Sequence, residues 1–166
     1  GDDYIDLHLH TTASDGSLQP EQLVEEAVKL GFEAIAITDH DTIGGLEAGL
    51  QAADQKNIEL VPGVELNTDY QDTEVHVLGY YIDYQQSEFI ATLQQLKAAR
   101  RKRIKKMVAK LNQLGVDLSE AEIFNLAGDS AVGRVHVAQL LQEKDYVADW
   151  EEAFAEYIGR SAPAYV

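Results

Sequence analysis

The sequence predicts an α/β fold: a sheet or barrel of largely parallel strands, followed by a small all-helical unit. Two observations carry this. Over residues 1–85, strand-length apolar runs alternate with helical patterns, which is the order of an α/β sheet or barrel. After Asp83 only helical periodicity continues.

The elements follow in order. YIDLHLH (4–10) alternates, so Ile5, Leu7 and Leu9 share one face and Asp6, His8 and His10 the other. TTASDGS is turn chemistry. QPEQLVEEAVKLG predicts a helix with Pro20 early, an apolar stripe of Leu23, Val24, Ala27 and Val28, and Gly31 as its stop. AIAIT (34–38) is a buried strand that delivers DHDT at its end. A second helix is expected over 45–56, a strand over 58–66 ending near Glu65, a turn over 67–74, and a strand over 75–82 carrying His76. Residues 87–114 predict one long helix, with Phe89, Leu93, Leu96, Arg100, Ile104, Met107, Leu111 and Leu114 at spacings of three and four. Gly115 stops it, and Ser119 with Glu122 forms a capping box for a short helix. GRVHVAQLLQEK and DWEEAFAEYI, the latter capped by Asp149, complete the helical unit, and SAPAYV reads as extended.

Composition narrows the function classes. The net charge of −16 is uneven: residues 1–85 hold 18 acidic and 2 basic side chains, and residues 86–166 hold 11 of each. An acidic half repels nucleic acid unless bound cations offset it. The chain has no cysteine, so disulfides and thiolate metal sites are excluded. No apolar run reaches the ~20 residues of a bilayer span, and the acidic GDDY start is the opposite of a secretory leader. The cytoplasm is the default expectation, with no membrane and no stable protein partner inferred.

The chemistry concentrates at strand ends. His8 and His10 can reach one ion, because imidazole nitrogens two residues apart on a strand point the same way. Asp15, His40, Glu65 and His76 lie on or just after successive strands. Six candidate ligands exceed the four positions of a tetrahedral ion and would fill all six of an octahedral one, so a cluster of two or three divalent ions is expected. A sulfur-free histidine–carboxylate set suits manganese, iron or zinc, and the residues alone do not choose among them. Clustered ions about 3.5–4 Å apart activate a bridging water and clamp a phosphoryl group, so phosphoester hydrolysis by a metal-bridged hydroxide is the expected reaction. No GxSxG elbow or P-loop offers another route.

DLHLHTTASDG, ITDHDT, PGVE and HVLGY, in this order, resemble the first motifs of the polymerase and histidinol phosphatase (PHP) family. GRVHVAQLL and EEAFAEYIGRSAPAYV resemble its branch of nucleotide 3′-phosphatases, which act on adenosine 3′,5′-bisphosphate, and of the 5′→3′ exoribonuclease called ribonuclease AM. The resemblance implies a distorted (β/α)7 barrel with a helical insertion. Residues 1–85 would be the first part of the barrel, 86–158 the insertion, and 159–166 the return toward the barrel. It implies that His8, His10 and Glu65 hold one ion, that Glu65 bridges to a second shared with His76, and that Asp15 and His40 hold a third. Glu65, His8 and His10 are thus the expected catalytic set. Arg134 and His136 match positions expected to grip a substrate phosphate of a nucleotide or short 5′-phosphorylated oligonucleotide. Asp39 and Asp41 would orient His40 or cap the next helix. The run Arg100, Arg101, Lys102, Arg103, Lys105 and Lys106 is either a solvated face or a guide for a nucleotide backbone.

The sequence departs from the family at its end. Further family motifs that supply one more His, one Asp and another His have no counterpart here. The chain is therefore expected to be a partial barrel with weak or no activity of its own, whose exposed edges favour self-association. The alternatives are a small-molecule phosphatase of the histidinol phosphatase type and a non-catalytic metal-binding fragment.

Overall fold

A computed structural model of the chain describes residues 4–70, 73–128 and 130–166. They form two compact units, one ending at Gln95 and the other spanning Leu96–Val166.

The first unit contains β1 (Tyr4–Leu9), α1 (Pro20–Leu30), β2 (Phe32–Ile37), α2 (Leu46–Lys56), β3 (Glu59–Tyr70) and β4 (Thr73–Tyr80). The strands stand in the order β1-β2-β3-β4; the first three run parallel and β4 runs antiparallel to β3. Parallel neighbours need a crossover, and α1 and α2 supply the two. The α1 helix starts with Pro20, whose missing N–H costs nothing there, and ends where Gly31 turns left-handed at φ 81°. Val24 and Ala27 pack inward with Ile35, Ile37, Leu46, Ile58 and Leu60. Ile35 and Ile37 are fully buried, each burial being worth about 1.5–3 kcal/mol. Val28, placed on the apolar stripe, is 39 % exposed instead, because the helix turns it past the edge of the contact. Ile5 is 60 % exposed, because β1 is an edge strand and nothing covers that end among the described residues.

The expected turn over 67–74 is corrected. The β3 strand runs on to Tyr70, which pairs with Thr73 of β4; residues 71–72 lie outside those described, as do 1–3 and 129. Thr68 and Tyr70 favour the pleated conformation, nothing in the segment is Gly or Pro, and the Thr68 hydroxyl donates to the Val75 carbonyl at 2.7 Å.

The boundary between the units falls inside α3 (Ser87–Gln113). The second unit continues with α4 (Glu120–Ala127), α5 (Arg134–Glu143) and α6 (Trp150–Ala153). Its core takes Ile104, Met107 and Leu111 from α3, with Ile123, Val137, Leu141 and Ile158. Leu114, just past α3, is 48 % exposed, so the stripe ends at Leu111. Ser119 and Glu122 form the expected capping box, and Asp149 caps α6 through the Glu152 N–H at 2.9 Å. The last helix is shorter than expected: after Ala153 it widens to a π turn over Phe154–Ile158, closed by Gly159 N–H donating to the Phe154 carbonyl. SAPAYV is not extended. Pro163 occupies the second position of a turn in which Tyr165 N–H donates to Ala162 C=O, and Ala164 is fully buried.

Candidate metal centre

The register of the parallel strands gathers their carboxyl ends. Leu9 pairs with Ile37 and Ile37 with Pro62, so the residues just beyond each pairing emerge together. A short parallel bridge pairs His40 with Glu65, flanked by Glu65 N–H to Asp39 C=O (3.1 Å) and Asp41 N–H to Glu65 C=O (2.9 Å). In the hairpin, Glu65 lies opposite Leu78, which makes His76 its diagonal neighbour on the same face.

Glu65 is the hub. Its side chain is only 2 % exposed, yet three imidazoles close on it: His8 Nε2 at 2.8 Å, His10 Nε2 at 2.9 Å and His76 Nδ1 at 2.6 Å. His40 Nδ1 stands 3.6 Å away. Asp15 sits on the far side of His10 and His40, 3.3 Å from His10 Nδ1 and 3.4 Å from His40 Nε2. The His10 and His40 rings lie 4.5 Å apart between centroids. All six expected ligands are thus brought together, in three groups whose donor atoms lie within 4.8 Å of one another: His8–His10–Glu65, His10–Asp15–His40 and His40–Glu65–His76.

The spacing fits divalent ions. Donors about 2.1 Å from one ion stand ~3.0 Å apart at octahedral angles and ~3.4 Å apart at tetrahedral ones. The His8–Glu65 and His10–Glu65 separations of 2.8 and 2.9 Å approach the first value, and those about Asp15, 3.3 and 3.4 Å, the second.

The same contacts set the protonation. Burial opposes ionisation of Asp15, but the hydrogen bond from His10 and the charges of His40 and His10 outweigh it and hold the carboxyl down at about 2. Burial likewise works against charge on Glu65, and the His8 hydrogen bond with the neighbouring imidazoles overcomes it, keeping Glu65 below the usual carboxylate range. Burial lowers His10 and Asp15 raises it, with Glu65 and Asp39 adding to the rise; the net is upward.

Sequence reasoning missed Asn67, whose Oδ1 is 2.9 Å from His40 Nδ1. The signal was available: Asn67 stands two residues after Glu65 and shares its strand face. Asp41 accepts the Asn67 N–H at 3.1 Å, so it reaches His40 through that neighbour. The Asp39 side chain bonds neither His40 nor the start of the next helix: Thr11 donates to both of its carboxylate oxygens and Ser14 to one, and the N-cap of α2 is Gly45, with no side-chain cap.

Arg134 and His136 belong to the helical unit. Arg134 opens α5 with its guanidinium 5.5 Å from the Phe154 and Tyr165 rings, and His136 Nδ1 accepts the Gly133 N–H at 3.1 Å. Much of the basic run works inside that unit. Arg101 covers the Phe124 ring at 4.1 Å, Arg103 Nε donates to the Val166 carbonyl at 2.6 Å, and Lys105 pairs with Glu120 at 3.2 Å.

Parallel strands with four imidazoles and two carboxylates at one end define an α/β protein of the barrel type with a histidine–carboxylate centre. Comparison with known proteins places it more closely. Residues 6–162 match the PHP domain, and the chain belongs to that family. It is 37 % identical over 161 residues to a 5′-3′ exoribonuclease of Haemophilus influenzae, covering 97 % of this chain and 58 % of the relative. It is 31 % identical to a 3′,5′-nucleoside bisphosphate phosphatase of Chromobacterium violaceum, over 98 % of this chain and 57 % of that protein. A solved structure from Bifidobacterium adolescentis, assigned as a metal-dependent phosphoesterase, superposes with a TM-score of 0.90 at 29 % identity, over 100 % of this chain and 59 % of that one. The chain therefore spans a little over half the length of these relatives. No helix among the described residues is long and apolar enough to cross a membrane.

Proposed function

We propose that the protein is a metal-dependent phosphoesterase acting on phosphate esters of nucleotides or short 5′-phosphorylated oligonucleotides. The observation that carries this reading is Glu65, a buried carboxylate enclosed by imidazoles from β1, β4 and the loop after β2. His8, His10 and Glu65 would hold one ion, Glu65 and His76 a second, and Asp15 and His40 a third, with manganese the first candidate and iron or zinc the others. Such ions supply Lewis-acid charge and an activated water for attack on phosphorus. The chain's own part is to fix the donors before substrate arrives. The imidazoles closing on Glu65, and the His10 hydrogen bond with the charges of His40 and His10 on Asp15, outweigh burial and keep both carboxylates ionised at neutral pH, ready to bind cations without first losing a proton. Arg134 and His136 are proposed to hold a substrate phosphate. A guanidinium suits the forked geometry of phosphate. With Nδ1 of His136 accepting from Gly133, its Nε2 carries the proton and is a donor. The nucleotide class is supported by the names of the exoribonuclease and the bisphosphate phosphatase relatives.

The test is phosphate release from adenosine 3′,5′-bisphosphate and mononucleotide release from 5′-phosphorylated RNA, with added Mn2+. It is run on this chain and, where the gene encodes more, on the full-length product. His8→Ala and Glu65→Ala should abolish turnover in whichever form is active. Wild-type turnover in either variant overturns the metal assignment, and turnover of histidinol phosphate in place of nucleotides overturns the substrate class.

A further inference from the structure

Asp39 is a carboxylate only 1 % exposed, next in sequence to the candidate ligand His40. Its Oδ1 accepts the Thr11 main-chain N–H at 2.7 Å and the Ser14 hydroxyl at 2.6 Å, and its Oδ2 accepts the Thr11 hydroxyl at 2.7 Å. Thr11 in turn closes the loop on itself: its carbonyl accepts Gly16 N–H at 2.9 Å and its hydroxyl accepts Ala13 N–H at 3.1 Å. The main chain of Asp39 holds a second segment, through its carbonyl to Glu65 N–H. The residue that follows it is His40. One side chain and its own backbone thus join the three segments that carry Asp15, His40 and Glu65.

The seal over this joint is tight. A Cβ on Gly45, the N-cap of α2, would stand 2.7 Å from Thr11 Oγ1 and 2.8 Å from Asp39 Oδ2. The close approach of a glycine keeps water off the bonds, and a dry charged hydrogen bond holds its geometry better than a wet one.

We propose that Asp39 is a positioning residue that assembles the Asp15–His40 part of the centre separately from the His8–His10–Glu65 part. The asymmetry follows from what each ligand hangs on. His8 and His10 are carried by β1 and its immediate end, where Leu9 C=O accepts Thr38 N–H at 2.8 Å. Asp15 is carried by the loop beyond Thr11, and the Asp39 carboxylate anchors both ends of its approach, at Thr11 and at Ser14. Loss of the carboxylate therefore frees Asp15 while leaving Leu9, which stands between His8 and His10, paired with Ile37 of β2. A partner that orients ligands in this way is typically worth about 10–100-fold in metal affinity.

This inference rests on the metal reading above, and its test separates the two. Mn2+ alone is titrated into the full chain, with bound ions counted by elemental analysis after equilibrium dialysis. Asp39→Asn, Asp39→Ala and Thr11→Val are compared with wild type, and amide exchange is measured in the metal-free state. Asp39→Ala should weaken one class of bound ion about tenfold or more and leave the class that His8→Ala removes at its wild-type affinity. Asp39→Asn should be intermediate. The Thr11 amide should exchange at least about tenfold faster in Asp39→Ala, with the β2–β3 amides unchanged. A proportional loss of every bound ion, or no loss of any, overturns the proposal. If wild type binds no Mn2+, the metal reading fails and the positioning role with it; wild-type exchange of the Thr11 amide in Asp39→Ala overturns the anchoring of the Asp15 loop even where ions bind.

Discussion

Gly63 in β3 lies between β2 and β4, two residues before Glu65. A Cβ placed there would meet Thr38 Cγ2 at 2.8 Å and the main-chain oxygens of Gly79 and Ile37 at 3.0 Å each. Two of these three neighbours are carbonyls of the flanking strands and have no rotamer to relieve the contact. Gly63→Ala would gain about 0.5–1 kcal/mol from the smaller entropy of the unfolded chain. Against this, forcing a methyl into a packed site costs about 1–3 kcal/mol. Because the relief must come from spreading two strands, the upper part of that range applies, and the net expectation is a loss of about 1–2 kcal/mol. Gly79 in β4 is the matched control. Its Cβ would meet Ile82 Cγ2 and Val64 Cγ1 at 3.5 Å and the Val64 main-chain oxygen at 4.0 Å, all ordinary contacts. Gly79→Ala should therefore gain about 0.5–1 kcal/mol, and the two variants should lie ~2 kcal/mol apart. Urea unfolding followed by far-UV circular dichroism reads the difference. Trp150 is the sole tryptophan and lies in the helical unit, so its fluorescence reports that unit separately. A Gly63→Ala chain as stable as wild type, or a Gly79→Ala chain as destabilised as Gly63→Ala, refutes the steric argument.

Other predictions concern charge. The raised pKa of His10 gives the metal-free chain a contribution fully present below the unfolded value of 6.5 and lost as pH rises through the folded value. Asp15, at about 2 against 3.8, contributes above pH 3.8 and loses that contribution as pH falls toward 2. An ion bound at His10, as proposed, would displace its proton, so Mn2+ affinity measured calorimetrically should climb as pH rises past 6.5, and a pH-independent affinity would contradict it. Glu122, held down at about 2 by the Lys144 ion pair and the Ser119 cap, supports the helical unit above the unfolded value of 4.5. Glu122→Gln should therefore lower the Trp150 unfolding midpoint at neutral pH, with the gap to wild type closing as pH falls from 4.5 to 2.

The parts of the fold governed by periodicity were legible in the residues. The alternation of YIDLHLH set His8 and His10 on one face, and the apolar run about Ile35 and Ile37 marked a strand buried on both sides. What escaped was decided by contacts distant in sequence. Nothing local tells Thr68 and Tyr70 that β4 will return alongside them, so a polar stretch read as a turn. Residues 161–166 read as extended because Pro163 suits either a strand edge or a turn. The outcome depended on Ala164 finding a buried place and on the carbonyls of Tyr165 and Val166 accepting from Lys110 and Arg103. That the six side chains gather as candidate ligands was legible from residue type and strand position. The partners Thr11 and Ser14 were not, since small polar residues in a loop carry no chemical signature until the carboxylate they serve is in place.

The hairpin of β3 and β4 has a consequence for the order of assembly. Glu65 and His76 are 11 residues apart in sequence, whereas Glu65 and His8 are 57 apart. Closing the longer segment costs about 1.5 kcal/mol more in chain entropy, from the logarithmic dependence on length. It also requires the parallel crossovers of α1 and α2 to be in place, while the hairpin needs only itself. The histidines made first during synthesis should therefore be the last to reach the centre. Pulsed hydrogen exchange during refolding should show the β3–β4 amides protected before those of β1, and the reverse order would contradict this. The centre is then built from its carboxylate outward, and His8 and His10 join a cradle that Glu65 and His76 have already formed.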